Sequence, residues 1–349
     1  MSSFIESGRF AFLSLYFNGV QVDKDLEPYL MSFTYNDGYS GQVDDITIQL
    51  DDRERNWIKG WVPVVGDEIK AEIITYHWDK QGEKKKLPCG KFYLKSFVYS
   101  GVPDSVTMEA SALPVDGNSS KQEKRSKSWE KVKLKTVASE IASRAKLKLA
   151  YESASNPTYE RLDQTEQTDF EFLIEIALKE GITLKVSGSK LVMFDEDAYE
   201  KAPAVLDIEL GIDNILSYQF ETNGESAAYG SCEVVYTAPK TSKVASKTIK
   251  GSYKLSTANK LPILRINEQV DTVAEANRLA KNRLREQNKK AGIARITLEG
   301  DTRIASGLTC NIKGVGYFDG KYIIENATHQ ISATAAYTTE IQIRKVLGW

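Results

Sequence analysis

Two-residue alternation of apolar and polar side chains recurs through the first and last thirds of this chain, and it constrains the fold more than any other feature. In DDITIQLDD (44–52), Ile46, Ile48 and Leu50 alternate with Thr47, Gln49 and Asp51, as a half-buried strand requires. GDEIKAEIITYHW (66–78) repeats the pattern with Ile69, Ala71 and Ile73. FAFLSLYF and VQVD flank Asn18-Gly19, a dipeptide that tolerates positive φ at both centres of a type I′ turn, so residues 10–23 are predicted to form a hairpin. KFYLKSFVYSGVPDSVTMEASA (91–112) predicts two further strands around a turn. The last third adds IDNILSYQFE, YGSCEVVYTA, GIARITLEGD, TCNIKGVGY, KYIIENATHQIS and YTTEIQIRKV. Asp319-Gly320 is predicted to turn a strand ending near Phe318 into one from Lys321 to Glu325, with Ile323 facing opposite to Tyr322 and Ile324. Strands at such spacing predict barrels or sandwiches.

Between the two β regions the period changes. DGNSSKQEKRSKSWEKVKLK (116–135) is polar and predicts a long loop or domain boundary. Val137, Ile141 and Ala145 then recur at helical spacing. In QTDFEFLIEIALKEG, Thr168 and Glu171 predict a capping box, Phe170, Leu173, Ile174 and Ala177 an apolar face, and Gly181 a left-handed stop. ITLKVSGSKLVMFD predicts a hairpin through Ser187-Gly188-Ser189. One long helix interrupts the last third, capped by Thr272 and Glu275, with Val273, Ala276, Ala280 and Leu284 as its apolar stripe.

At 349 residues the chain has room for two or three domains, and 41% hydrophobic with 27% charged residues gives ordinary globular material. A net charge of −2 supplies no general attraction to nucleic acid or anionic membrane. Two local basic groups have a sharper and a plainer reading. Lys121, Lys124, Arg125 and Lys127 would bind phosphate or form a solvated linker; Arg278, Lys281, Arg285 and Lys289 would line a nucleic-acid groove or a solvated helix face. No apolar run approaches the length of a membrane span, and no cleavable leader is expected. Cys89, Cys232 and Cys310 are odd in number and far apart, which argues against a disulfide framework and for synthesis in a reducing cytoplasm.

Catalytic chemistry finds little support. The only histidines, His77 and His329, lie in strand-like runs without a nucleophile elbow or a recognisable cysteine signature. Neither they nor the cysteines have zinc-ligand spacing, DDRERNW (51–57) lacks the order of a calcium loop, and no phosphate-binding glycine loop occurs. No catalytic residue, metal ligand or cofactor is expected. A scaffold or binding protein is the leading expectation.

The order of these signatures resembles the phage late control protein D family, the hub proteins of contractile tails. The carriers are DDITIQLDDRERNW, Gly66-Asp67-Glu68-Ile69 and PCGKFYLKSFVYSGVPDSVTMEASA at one end. SWEKVKLKTVASEIASRAKLKL and DQTEQTDFEFLIEIALKEGITLKVSGSKLVMFD stand in the middle. AEANRLAKNRLRE, GDTRIASGLTCNIKGVGYFDGKYIIENATHQIS and YTTEIQIRKV close the pattern.

The resemblance implies a β-rich α+β chain. Two tail-tube-like antiparallel β-barrel domains, at 1–115 and 206–349, would flank a linker plus small α/β domain at 116–205, with strand exchange between the barrels. It also implies a homotrimer of pseudo-six-fold symmetry, made in the bacterial cytoplasm and assembled into an extracellular phage tail or bacteriocin-like particle. Its partners would be the tail tube protein, the central spike, the tape-measure protein and other baseplate components, with no membrane and no specific nucleic acid. Type VI secretion spike proteins resemble this hub but continue into further domains. Here the expectation is a separate spike chain docked near Trp349, which would serve as an apolar anchor or pack on its own barrel. A tail-associated cell-wall hydrolase and a nucleic-acid-binding protein are the alternatives.

Overall fold

The computed structural model describes residues 8–114, 123–222, 228–238, 247–256, 261–333 and 337–349. The first third forms β1 (Phe10–Phe17), β2 (Val20–Gln21), the short helix α1 (Asp23–Leu26), β3 (Leu30–Gly38), β4 (Asp45–Asp51), the short helix α2 (Asn56–Lys59), β5 (Glu68–Tyr76), β6 (Lys84–Ser100) and β7 (Ser105–Ser111). The Asn18-Gly19 turn forms with positive φ at both residues, but β2 is a two-residue stub and β1 pairs along its whole length with β5. Ile46, Ile48 and Leu50 of β4 and Ile69, Ala71 and Ile73 of β5 are buried, so the predicted alternation selects the core face.

The polar stretch read as a loop contains an ordered strand. β8 (Lys124–Lys133) pairs antiparallel with β10 (Thr158–Thr168) in a two-stranded ribbon. Trp129 pins this ribbon to the core by stacking on Phe172, with ring centres 5.4 Å apart. Around it lie α3 (Leu134–Arg144), β9 (Lys148–Tyr151), α4 (Asp169–Glu180), the hairpin β11 (Ile182–Ser187) and β12 (Lys190–Asp195), and α5 (Glu196–Lys201). The capping box of α4 is complete: Glu171 N donates to Thr168 Oγ1 at 3.3 Å, and Thr168 N donates to the Glu171 carboxylate at 3.0 Å. Gly181 ends the helix at φ 72°.

The last third supplies β13 (Leu206–Glu209), β14 (Ile215–Glu221), β15 (Ser231–Ala238), β16 (Lys247–Lys254), β17 (Ile263–Ile266), α6 (Val273–Asn288), β18 (Ile293–Glu299), β19 (Thr309–Lys313), β20 (Gly320–Ser332) and β21 (Thr338–Lys345). β14 and β18 are hydrogen-bonded neighbours, with Glu221 opposite Ile293. The elements between them are therefore an insertion, a three-stranded sheet β16-β15-β17 covered by α6, with a core of its own. Ala276, Ala280 and Leu284 face that core as predicted. Leu279 joins them, whereas Val273 at the helix start is exposed. Its cap is half a box: Glu275 N donates to Thr272 Oγ1 at 3.1 Å, but the Glu275 carboxylate accepts from Asp271 N.

The closed barrels implied by the resemblance are replaced, in the hydrogen bonding, by one continuous sheet of 13 strands. Its main path runs β14-β18-β21-β20-β3-β4-β7-β6-β5-β1-β2, with β19 joined to β20 and β13 to β19. Strand β20 causes the fusion. One edge pairs with β21, while the other pairs first with β19 (Ile323 to Thr309) and then with β3 (Ser332 to Ser32). At 13 residues it is long enough to serve both halves. The predicted Asp319-Gly320 hairpin is looser than a two-residue turn: β19 ends at Lys313, and Tyr317 and Phe318 lie in a 3₁₀ turn. The alternation beyond it is as read. Tyr322 and Ile324 enter one core and Ile323 a second one with Tyr39 and Phe194.

Candidate assembly surfaces and the buried charge seam

The basic stripe of α6 turns inward to the protein's own acids. Arg278 pairs with Glu180 of α4 at 3.2 Å, Arg285 with Glu200 of α5 at 3.0 Å, and Lys289 with Glu196 of α5; Lys281 lies over the Tyr253 ring. Arg278, Arg285 and Lys289 thus seat the inserted unit on the middle of the chain, and their charges are matched by the protein's own acids. The same acids meet Arg344 of β21, 0% exposed, at 2.8 Å from Glu196 and 2.7 Å from Glu200. Glu325 is 2.8 Å from Arg344 Nε, close enough for an ion pair although Nε makes no well-directed hydrogen bond. Three carboxylates thus face three cations where α5, α6, β20 and β21 meet. Burial raises the Glu325 carboxyl. Glu196 meets the same burial, yet Lys289 and Arg344 outweigh it and hold that carboxyl below the usual range.

Trp349 lies on the same seam. Its ring stacks on Tyr253 at 5.7 Å, the Arg285 guanidinium lies 5.4 Å from its centre, and its main-chain oxygen accepts from Arg285. Of the basic cluster near the start of the middle region, Lys121 lies outside the described residues. Arg125 pairs with Glu123 and Lys127 with Glu140.

A second buried cluster joins all three regions. Asp37 and Asp44, at β3 and just before β4, face Lys185 of β11, and Ser306 N donates to Asp37 at 2.7 Å. Lys185 Nζ also reaches Ser306 Oγ at 2.6 Å, but with two carboxylates around it the amine is a counter-ion rather than a base for a serine nucleophile.

His329 is part of the core. Nε2 donates to the Ile304 carbonyl at 3.2 Å, which leaves Nδ1 to accept from Tyr337 at 2.8 Å and Thr339 at 3.1 Å. The Tyr35 and Tyr337 rings lie near-parallel to it, each with its centre 5.9 Å away. At the end of β5, His77 accepts from Gly82 N and braces the β5–β6 turn. All three cysteines are buried, and burial pushes each thiol up, Cys232 to about 11 and Cys310 to about 12. Among the described residues no cluster of His, Cys, Asp or Glu is arranged to hold a metal, and no helix is long and apolar enough to cross a membrane.

Two of the buried titratable groups, His329 and Asp44, make opposite pH predictions. Burial lowers His329 from 6.5 to about 4, so its neutral ring contributes stability above the unfolded pKa that is lost as pH falls from 6.5 through 4. Burial raises Asp44 from 3.8 to about 7 despite Lys185, so its contribution is full below 3.8 and lost as pH rises through 7. Asp44→Asn is expected to gain thermal stability relative to wild type on going from pH 5 to pH 8, and His329→Gln relative to wild type on going from pH 7 to pH 4. Parallel melting-temperature profiles for wild type and variant would contradict either assignment.

Residues 118–335 match the family model of the phage tail baseplate hub (GPD). This chain belongs to that family. The probable baseplate hub protein of Escherichia phage 186 is 26% identical over 176 residues, covering 50% of this chain and 42% of that protein. The probable baseplate hub protein of Escherichia phage P2 is 25% identical over 173 residues, covering 49% and 42%. The matched chain thus spans about two fifths of these relatives. Among solved structures, the 43 kDa tail protein of prophage MuSo2 from Shewanella oneidensis superposes with a TM-score of 0.72 at 12% identity, covering 96% of this chain and 98% of that one. A tail protein from Neisseria meningitidis gives 0.70 at 14% identity, covering 97% and 98%. An Escherichia coli component of the type VI secretion system gives 0.57 at 11%, covering 95% and 76%. The whole β-rich arrangement is therefore a tail-protein fold.

For a baseplate hub the informative surface is the one left uncovered. In the first half, Ile58 of α2 and Trp61, Val62, Val64 and Val65 of the loop after it are exposed. Tyr29 and Trp57 pack edge-on to Trp61 at 6.1 and 5.7 Å, and Val64 N donates to Asp67. Asn18–Asp67 and Arg55–Asp104 contacts bring the adjoining turns, with exposed Val20 and Val102, to the same rim. In the second half Val205, Ile212, Leu216 and Tyr218 are exposed on one continuous segment. Sequence reading missed both groups because alternation identifies apolar residues without saying what covers them.

Proposed function

We propose that this chain is a non-catalytic hub of a contractile tail or tail-like particle, a homotrimer of pseudo-six-fold symmetry connecting the tail tube to the central spike. The observation that carries this reading is the strand sharing at β20, which fuses two β-rich halves into one sheet; the second half has an apolar core of its own, and the first half shares its core with the middle region. In this reading residues 1–115 and 206–349 form tube-like units around a middle region at 116–205. Three chains supply six such units to a six-fold tube and three equivalent faces to a three-fold spike. Trp349, half-buried on Tyr253, is the proposed anchor for a spike chain, with tape-measure and other baseplate proteins as further partners.

Native mass spectrometry of the pure protein, alone and with tube and spike proteins, tests this. Assemblies of three 39.0 kDa chains are expected, with spike retention reduced in Trp349→Ala. A protein that stays monomeric with both partners present would refute the hub reading.

A further inference from the structure

The cluster of Asp37, Asp44 and Lys185 sets two carboxyl groups against one amine. Side-chain exposure is 14% for Lys185, 5% for Asp37 and 0% for Asp44, so little water reaches any of them. Two carboxylates that share one buried cation cannot both stay ionised, and one keeps a proton. The hydrogen bonding decides which. Asp37 accepts from Lys185 Nζ, Ser306 N and Ser306 Oγ. Asp44 stands 3.8 Å from Lys185, and its Oδ1 has no hydrogen-bond partner. Asp44 therefore carries the proton, in line with the upward shift that burial gives its carboxyl.

We propose that Lys185 and Asp37 condense into an isopeptide bond, with Asp44 as the proton-transfer group. An amine hydrogen-bonded to a carboxyl oxygen already stands beside the carboxyl carbon, an arrangement that favours intramolecular attack. Asp44 gives its proton to Asp37 and takes one from the ammonium, which leaves a neutral amine facing a carboxylic acid. Nζ then bonds to Asp37 Cγ, and the C=O electron pair moves onto Oδ2, which accepts from Ser306 N at 2.7 Å. Collapse expels Oδ1, which departs with two protons from nitrogen as water, and Asp44 ends as it began. An ammonium and a carboxylate thus become an amide and one water, with no change in oxidation state or net charge. The desolvation cost of the buried ion pair disappears with its charges. At Glu196, by contrast, Lys289 and Arg344 together hold the carboxyl ionised, which denies Lys289 the same chemistry. Because condensation removes the Lys185 charge, Asp44 then stays neutral to higher pH, and its pH-dependent stability is read in a Lys185→Arg background. The bond would tie β3 of the first half to β11 of the middle region.

Mass spectrometry of the full denatured chain tests this. The wild type is expected to weigh about 18 Da, one water, less than its sequence. After trypsin, residues 25–53 and 180–190 are expected as one linked species. Lys185→Arg keeps the cation and is expected to show the full mass with an unchanged circular dichroism spectrum. Asp44→Asn keeps the shape of the side chain and is expected to form the link at least tenfold more slowly. A wild type of full mass after prolonged incubation near neutral pH would overturn the proposal. So would a water loss confined to residues 25–53, because Asp37-Gly38 closing on its own backbone as a succinimide loses the same mass without Lys185. A link that forms at the wild-type rate in Asp44→Asn would overturn the role of Asp44.

Discussion

Arg344→Met is expected to lower stability by ~3–5 kcal/mol, enough to bring the melting temperature of a chain this long down by roughly 5 °C. The guanidinium is wholly buried and contacts Glu196, Glu200 and Glu325. Removing it leaves three carboxylates facing only Arg285 and Lys289, and Glu325 loses its ion pair. An uncompensated buried charge accounts for most of the cost, since replacing a whole buried pair by apolar groups is often close to neutral. Adding Glu325→Gln to Arg344→Met should therefore recover stability, although it removes another charged group. Arg344→Lys should fall between, because one ammonium cannot reproduce the planar fork that spans the glutamates. Thermal unfolding near neutral pH is the measurement. If the double variant were less stable than Arg344→Met, charge imbalance would not be the source of the effect.

Arg344 also shows how far this fold is legible in the sequence. IQIRKV reads correctly as a strand, and Ile341 and Ile343 point into a core as alternation demands. The same alternation places Arg344 on the opposite, polar face beside Gln342. Gln342 is exposed there, but Arg344 is covered by α5, a helix separated from it by more than 140 residues of sequence. Local periodicity assigns the face of a residue; the distant element that covers that face is absent from the pattern. The α6 basic stripe follows the same logic, because its acidic partners lie on α4 and α5.

The signals that survived unchanged are short-range ones. Asn18-Gly19 turned, and Thr168 and Glu171 capped, because each depends on backbone groups a few residues away. The β8–β10 ribbon was invisible for the complementary reason. Only Trp129 of β8 is buried, so no alternation marks the strand, and its partner begins 25 residues beyond Lys133. The inserted unit was hidden too. Its strands read like their neighbours, and only the pairing of β14 with β18 reveals that the chain leaves the main sheet and returns.

Gly300→Ala is the second substitution with a large expected effect, because Gly300 sits where the two β halves lock. Its amide donates to the Tyr337 carbonyl at 2.8 Å, and its carbonyl accepts from Trp78 Nε1 of the first half at 2.6 Å. An added Cβ would fall well under 3.0 Å from the Tyr337 ring, nearer than real Cβ atoms approach. That ring is buried, packs against Trp78 at 5.6 Å, and gives its hydroxyl to His329. It has no solvent-facing space to move into, so relief must disturb a buried hydrogen bond as well as packing. Together these should cost ~3 kcal/mol or more. Gly292→Ala is the control: its Cβ would meet only Lys345 Cβ at 3.5 Å, an ordinary contact, and its cost should stay below about 1 kcal/mol. Tyr337→Leu separates collision from backbone effects. With a smaller side chain opposite, Gly300→Ala should cost at least ~1 kcal/mol less than it does in wild type. An equal cost in both backgrounds would place the effect in the backbone of residue 300 and remove the ring from the explanation.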